Sequence, residues 1–174
     1  MNENETATAQ EQAAEEAMAK AANEAFDQEY DVKAMEKAVE GLGAGDPVMK
    51  AKGFSIEQVE AIYAVGLNSY KAGKYDDAEK VFRYIVYLDH TNSKYWTALG
   101  AVQQMLRQFS KAVTSYGYAS FLDLHNPKPQ FHAAECFLAL GDKESAKSAL
   151  AALEEYAPKD SVYREKAKKL AERL

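Results

Sequence analysis

The 174-residue sequence holds one cysteine, Cys136, so no disulfide can close within the chain. It holds three histidines, and none stands with cysteines or carboxylates at the spacing of a metal site. His90 and His125 fall in stretches that read as turns, and His132 sits early in a helix. Cys136 follows His132 by four residues on one helix face, which raises a nucleophile pair. Its position in the helix is one that takes small residues, so it reads as a buried structural thiol. Glycine-rich phosphate loops, nucleophile elbows and metal boxes are absent. The expectation is therefore a protein that is not an enzyme and carries no metal or cofactor. No apolar run approaches a membrane span. The chain lacks the basic start and apolar stretch of a secretory signal, and with the single cysteine this favours the cytoplasm. Basic residues are outnumbered, 21 against 27 acidic, and they form no stripe of the kind that reads nucleic acid.

The acidic excess is local. Residues 1–30 carry eight acidic side chains and one lysine, which leaves the rest of the chain near neutrality. Residues 1–20 are rich in Ala and Glu with almost no large apolar side chain, and read as a flexible tail or a frayed helix. Residues 21–54 read as an N-terminal helical region and loop. Val32, Met35, Val39 and Leu42 share one helix face there, and Gly41, Gly43, Gly45 and Asp46-Pro47 end it. That stripe completes no later unit, so it is the candidate surface for a homodimer. Ser55-Ile56-Glu57-Gln58 is a capping box that opens the next helix.

What the chain has in quantity is a period of thirty-four residues. Gly66, Gly100 and Ala134 fall on it, as do Ala78, Ala112 and Ala146, and Phe82, Tyr116 and Leu150. Gly73 and Gly141 are in phase, with Arg107 between them. This is similar to the tetratricopeptide repeat, a helix-turn-helix unit. A small residue at the eighth position lets two helices approach, and the large apolar residue sixteen places later fills the space beside it. The expected fold is all-α. Three tandem repeats over 59–92, 93–126 and 127–160 form a right-handed solenoid, closed by a capping helix over 161–174. The face expected for that helix is Tyr163, Ala167, Leu170 and Leu174.

In such a solenoid the first helix of each pair lines a concave face. The second, fifth, ninth and twelfth repeat positions point into it. In repeat one these are Glu60, Tyr63, Leu67 and Tyr70, with Lys71 beside them. In repeat two they are Lys94, Thr97, Ala101 and Gln104, with Met105 adjacent, and in repeat three Lys128, Phe131, Glu135 and Leu138. Two arrangements fit. The aromatics form an apolar cleft for an extended peptide, or some of them pack under the N-terminal segment as core. Tyr84, Tyr87, Tyr95 and Tyr118 read as solenoid core. A clamp of Lys, Asn and Arg that grips a C-terminal carboxylate does not fit. Its positions hold Tyr63, Leu67 and Ala98, His132 replaces an Arg, and only Lys128 matches.

Several stretches carry a narrower resemblance. They are Tyr70 to Ala78 (YKAGKYDDA), Val81-Phe82, Leu88-Asp89-His90, Leu99-Gly100-Ala101 with Gln103-Gln104, and Pro129 to Cys136 (PQFHAAEC) with Leu140-Gly141. Together they resemble the class II chaperones of bacterial type III secretion systems, over about residues 35–155. The resemblance implies a cytoplasmic chaperone that keeps hydrophobic translocator proteins soluble. It would hold an extended translocator segment of the Pro-x-Leu-x-x-Pro type in its groove. The family's pocket positions map to Tyr63, Leu67, Tyr70, Tyr75, Phe82 and Tyr116. It also implies possible dimerisation through the N-terminal helical region and possible pairing with a transcriptional regulator. A general tetratricopeptide scaffold that joins folded partners is the alternative of a different class.

Overall fold

The computed structural model describes residues 40–174. The tail over 1–20, most of the helix expected over 24–42, and Val32, Met35 and Val39 lie outside the described residues. Residues 40–43 are helical, and Leu42 is exposed. Eight further helices follow: α1 Val48–Ala51, α2 Ile56–Lys71, α3 Tyr75–Leu88, α4 Ser93–Met105, α5 Phe109–Leu122, α6 Pro127–Ala139, α7 Lys143–Tyr156 and α8 Val162–Ala171. Each helix from α2 onward packs on the next, and α4 also touches α6. The described residues contain no strand. The fold is a tetratricopeptide solenoid.

The helix starts are written in side chains. Ser55 accepts from the Gln58 backbone N–H while the Gln58 side chain accepts from the Ser55 N–H, which opens α2. Asn92 and Asn126 accept from the backbone N–H groups of Lys94 and Lys128 and open α4 and α6. The three turns inside the pairs share one hydrogen-bond pattern. The N–H of Lys74, Gln108 and Asp142 reaches back to the carbonyl of Ser69, Gln103 and Phe137, at 2.8 to 2.9 Å. This pattern needs a left-handed residue just before the donor. Gly73 and Gly141 supply it at φ 75° and 78°, and Arg107 adopts it at φ 59°. Arginine carries a steric cost there that glycine does not.

Close approach explains the period. A Cβ on Gly66 would stand 2.6 Å from the Phe82 ring, and one on Gly100 would stand 2.7 Å from the Tyr116 ring. Phe82 and Tyr116 are almost fully buried. The third unit makes the reciprocal choice, with Ala134 opposite the smaller Leu150, both buried. The cap helix α8 keeps this register although its sequence looks different. Val102, Cys136 and Leu170 are one period apart and all buried, as are Leu99, Ala133 and Ala167. Tyr163 and Leu174 pack against the same C-terminal cluster.

Within the stretch read as N-terminal helical region and loop, residues 48–51 form α1, because Met49 buries itself against the first repeat. One expectation is corrected. Of the four tyrosines expected in the core, only Tyr95 is there. Tyr84 and Tyr87 stack on each other at the surface, and Tyr118 stacks on Trp96 at 4.6 Å while half exposed. Aromatic pairing, within α3 and between α4 and α5, covers ring faces without burying the tyrosines.

Candidate binding groove

The inner helices α2, α4 and α6 frame a cleft of about 430 Å³. One wall comes from α2: Tyr63, Leu67 and Tyr70 sit three to four residues apart on one face. Thr97, Ala98, Ala101, Gln104 and Met105 come from α4, and Lys128, His132 and Glu135 from α6. Phe82 and Tyr116 reach the floor from the outer helices α3 and α5. The α2 end is therefore aromatic and aliphatic, the middle is small, and the α6 end is polar.

Each end is fixed by its own contacts. The Tyr63 ring lies 5.6 Å from Phe82 and 5.7 Å from Tyr95, with the Lys94 ammonium 4.1 Å from its centroid. Glu60 accepts from Lys94 Nζ and, at 2.8 Å, from the Tyr95 hydroxyl. Those two donors, Lys94 first, hold the Glu60 carboxyl below its ordinary range. At the other end a polar chain crosses three helices. The Tyr116 hydroxyl donates to Gln104 Oε1 at 2.9 Å, and Gln104 Nε2 donates to Glu135 Oε2 at 3.2 Å. Nδ1 of His132 stands 2.8 Å from the same Glu135 oxygen. Burial pushes the Glu135 carboxyl up, but the hydrogen bonds from His132 and Gln104 outweigh it and hold the group low. Burial also pushes the Tyr116 hydroxyl well up, so it stays protonated and can donate. Cys136 faces away from the cleft, beside Ala112, Tyr116 and Ala133, and burial pushes its thiol up to about 12. A thiol held protonated is a poor nucleophile.

The structure brings Tyr63, Leu67, Tyr70, Phe82, Gln104 and Tyr116 to the cleft, together with Lys94, Thr97, Ala101, Met105, Lys128 and Glu135 of the positions read as concave. Glu60 and Leu138 do not line it, and neither do three further residues singled out in the sequence. Lys71 is exposed at the end of α2, outside the lining. Tyr75 lies outside it too, with its ring edge-on to Tyr70 at 5.5 Å. Phe131 is buried under the cap helix, 5.5 Å from Tyr163. This repeats the Tyr63–Tyr95 contact two units later, since Tyr163 is two periods after Tyr95. The fifth repeat position is thus partly an inter-repeat contact, and in repeat three α8 covers it. Ala98, Asn126 and His132 line the cleft although spacing alone had not placed them there. Ala98 and His132 each sit one residue from an expected position, and a helix face that follows 3.6 residues per turn takes in such neighbours, whereas Asn126 reaches the cleft as the N-cap of α6.

The tetratricopeptide family model matches residues 59–92 and 93–126, the first two helix pairs. Low calcium response locus protein H of Yersinia pestis is 38% identical over 123 residues, 71% of this chain and 71% of that protein. The chain belongs to the translocator chaperones of type III secretion. Solved members share its fold. The Yersinia enterocolitica translocator chaperone SycD, in complex with a peptide of the translocator YopD, is 34% identical with a TM-score of 0.64. That match covers 68% of this chain and 93% of SycD. PcrH, from Pseudomonas aeruginosa, has been solved in complex with the chaperone-binding region of PopD. It is 38% identical with a TM-score of 0.59, over 70% of this chain and 88% of PcrH. In the present chain the aromatic wall lies on α2, with a polar chain opposite it.

Proposed function

We propose that this chaperone holds an extended, proline- and leucine-containing segment of a translocator in the cleft between α2, α4 and α6. One observation carries the reading. Tyr63, Leu67, Tyr70 and Met105 present apolar surface to an open groove that no other described residue fills. SycD and PcrH, at similar fold and a third or more identity, are solved with translocator segments bound. Leucines docked on the α2 wall each contribute roughly 1.5–3 kcal/mol. Prolines limit the entropy lost on docking. Phe82 and Tyr116 serve as floor, and Gln104 is a polar anchor in the middle. Such holding needs no covalent step, so the protein acts without being an enzyme, in the cytoplasm where translocators await export. Val32, Met35, Val39 and Leu42 remain the proposed dimer stripe, and SycD itself has been solved as an alternative dimer.

Ala101→Glu tests the groove. Ala101 lines the cleft and is only partly buried, so the carboxylate can reach water while blocking the apolar path. A labelled translocator N-terminal peptide should bind the variant at least tenfold more weakly in fluorescence polarisation, with the helical spectrum unchanged. Wild-type affinity would remove the groove from the account.

A further inference from the structure

The second repeat position forms a ladder along the groove rim: Glu60 on α2, Lys94 on α4 and Lys128 on α6, one period apart. The first two rungs neutralise each other, since Lys94 Nζ is engaged by Glu60. The third rung is not neutralised. Lys128 lines the cleft, is exposed, and its ammonium has no ion-pair partner among the described residues. The one carboxylate of α6 in the cleft, Glu135, is seven residues further along the helix and already accepts from Gln104 and His132. It is therefore committed, and two helical turns separate it from Lys128. The α6 first turn holds no acidic side chain. The rim beside Lys128 is thus a positive spot at the end of the groove opposite the aromatic wall.

Resting on the groove reading above, we propose that Lys128 selects cargo segments carrying an acidic side chain at a fixed distance from the apolar anchor. The distance follows from the fold. Two steps between neighbouring inner helices, at roughly 8–10 Å each, separate the α2 wall from α6. An extended chain advances about 3.3 Å per residue, so the acid lies roughly five to six residues from the anchor on α2. A side-chain carboxylate suits this better than a chain terminus. Tyr63, Leu67 and Ala98 stand where a terminal-carboxylate clamp would need donors.

The test uses the full chain and labelled, C-terminally amidated twelve-residue peptides. Each has one Pro-x-Leu-x-x-Pro core and a single Asp or Asn moved through positions three to eight after the leucine. Wild type should bind one or two adjacent Asp positions about three- to fivefold more tightly than the matched Asn peptides, with the gap shrinking in 0.5 M salt. Lys128→Gln should close the gap by weakening only the Asp peptides. Lys128→Glu should invert it. Equal Asp and Asn affinities in wild type, or a gap that survives Lys128→Gln, overturn the proposal. Ala101→Glu separates the two claims. If it abolishes binding of every peptide while wild type shows no Asp preference, the groove stands and the Lys128 reading falls. If Ala101→Glu leaves both binding and the preference intact, the groove reading falls and this one with it.

Discussion

Replacing Gly100 by alanine tests the packing logic of the solenoid. Gly100 lies inside α4, where alanine is worth about 1 kcal/mol over glycine in helix propensity. An exposed site would show that gain. At Gly100 the new Cβ would stand 2.7 Å from two atoms of the Tyr116 ring, about 0.7 Å inside ordinary contact. The ring has little room to withdraw. Tyr116 is buried, and its hydroxyl is tied to Gln104 at 2.9 Å. Overpacking of this kind costs roughly 1–3 kcal/mol, and straining the hydroxyl bond adds about 0.5–1.5. The propensity gain offsets part of this, so Gly100→Ala should destabilise by about 1–2 kcal/mol, and Gly100→Leu by more. Gly117 is the matched control. It lies inside α5, and a Cβ there would meet nothing within 4 Å. Gly117→Ala should stabilise by about 0.5–1 kcal/mol. Urea denaturation followed by helical circular dichroism reads both. If the two substitutions shift the midpoint in the same direction by similar amounts, the eighth-position contact is not what sets the period.

Arg107→Gly should raise stability by about 0.5–1 kcal/mol, because it removes the left-handed strain at φ 59°, and denaturant midpoints would register it. Glu135 has a depressed folded pKa, so its contribution is full above the unfolded value of about 4.5 and is lost as pH falls through the folded value. Glu135→Gln should flatten the acid limb of the stability curve below about pH 5. Cys136 should resist iodoacetamide at pH 8 in the native state and react quickly in urea, with the rate followed by mass spectrometry. Val39→Glu should move sedimentation towards monomer, and unchanged sedimentation of a dimeric wild type would remove the stripe from the interface.

The helix pairs were legible because their constraints are local or strictly periodic. Gly66 and Gly100 recur because Phe82 and Tyr116 press on them, and the Ser55–Gln58 box opens α2 in the sequence as in the structure. The α2 wall was legible because Tyr63, Leu67 and Tyr70 share one face of one helix. Phe131 was not, since nothing in its own helix tells that α8 lies over it. That fact belongs to a long-range contact with Tyr163. Tyr84, Tyr87 and Tyr118 misled for a related reason. An aromatic at helical spacing packs equally well on another surface ring as on the core, and only the neighbouring helix decides which. The polar chain from Tyr116 to His132 joins three helices, so no spacing within one of them announces it.

Site-specific photocrosslinking puts the central claim to the most direct test. A photoreactive amino acid would replace Met105, which lines the cleft and is 46% exposed. In a second protein it would replace Phe121, which is 81% exposed and outside the cleft. Each would be irradiated with a translocator N-terminal peptide and the adducts mapped by mass spectrometry. A peptide held between α2, α4 and α6 gives adducts at position 105 within the proline- and leucine-containing segment and little at 121. Adducts at 121 with none at 105 would contradict the account.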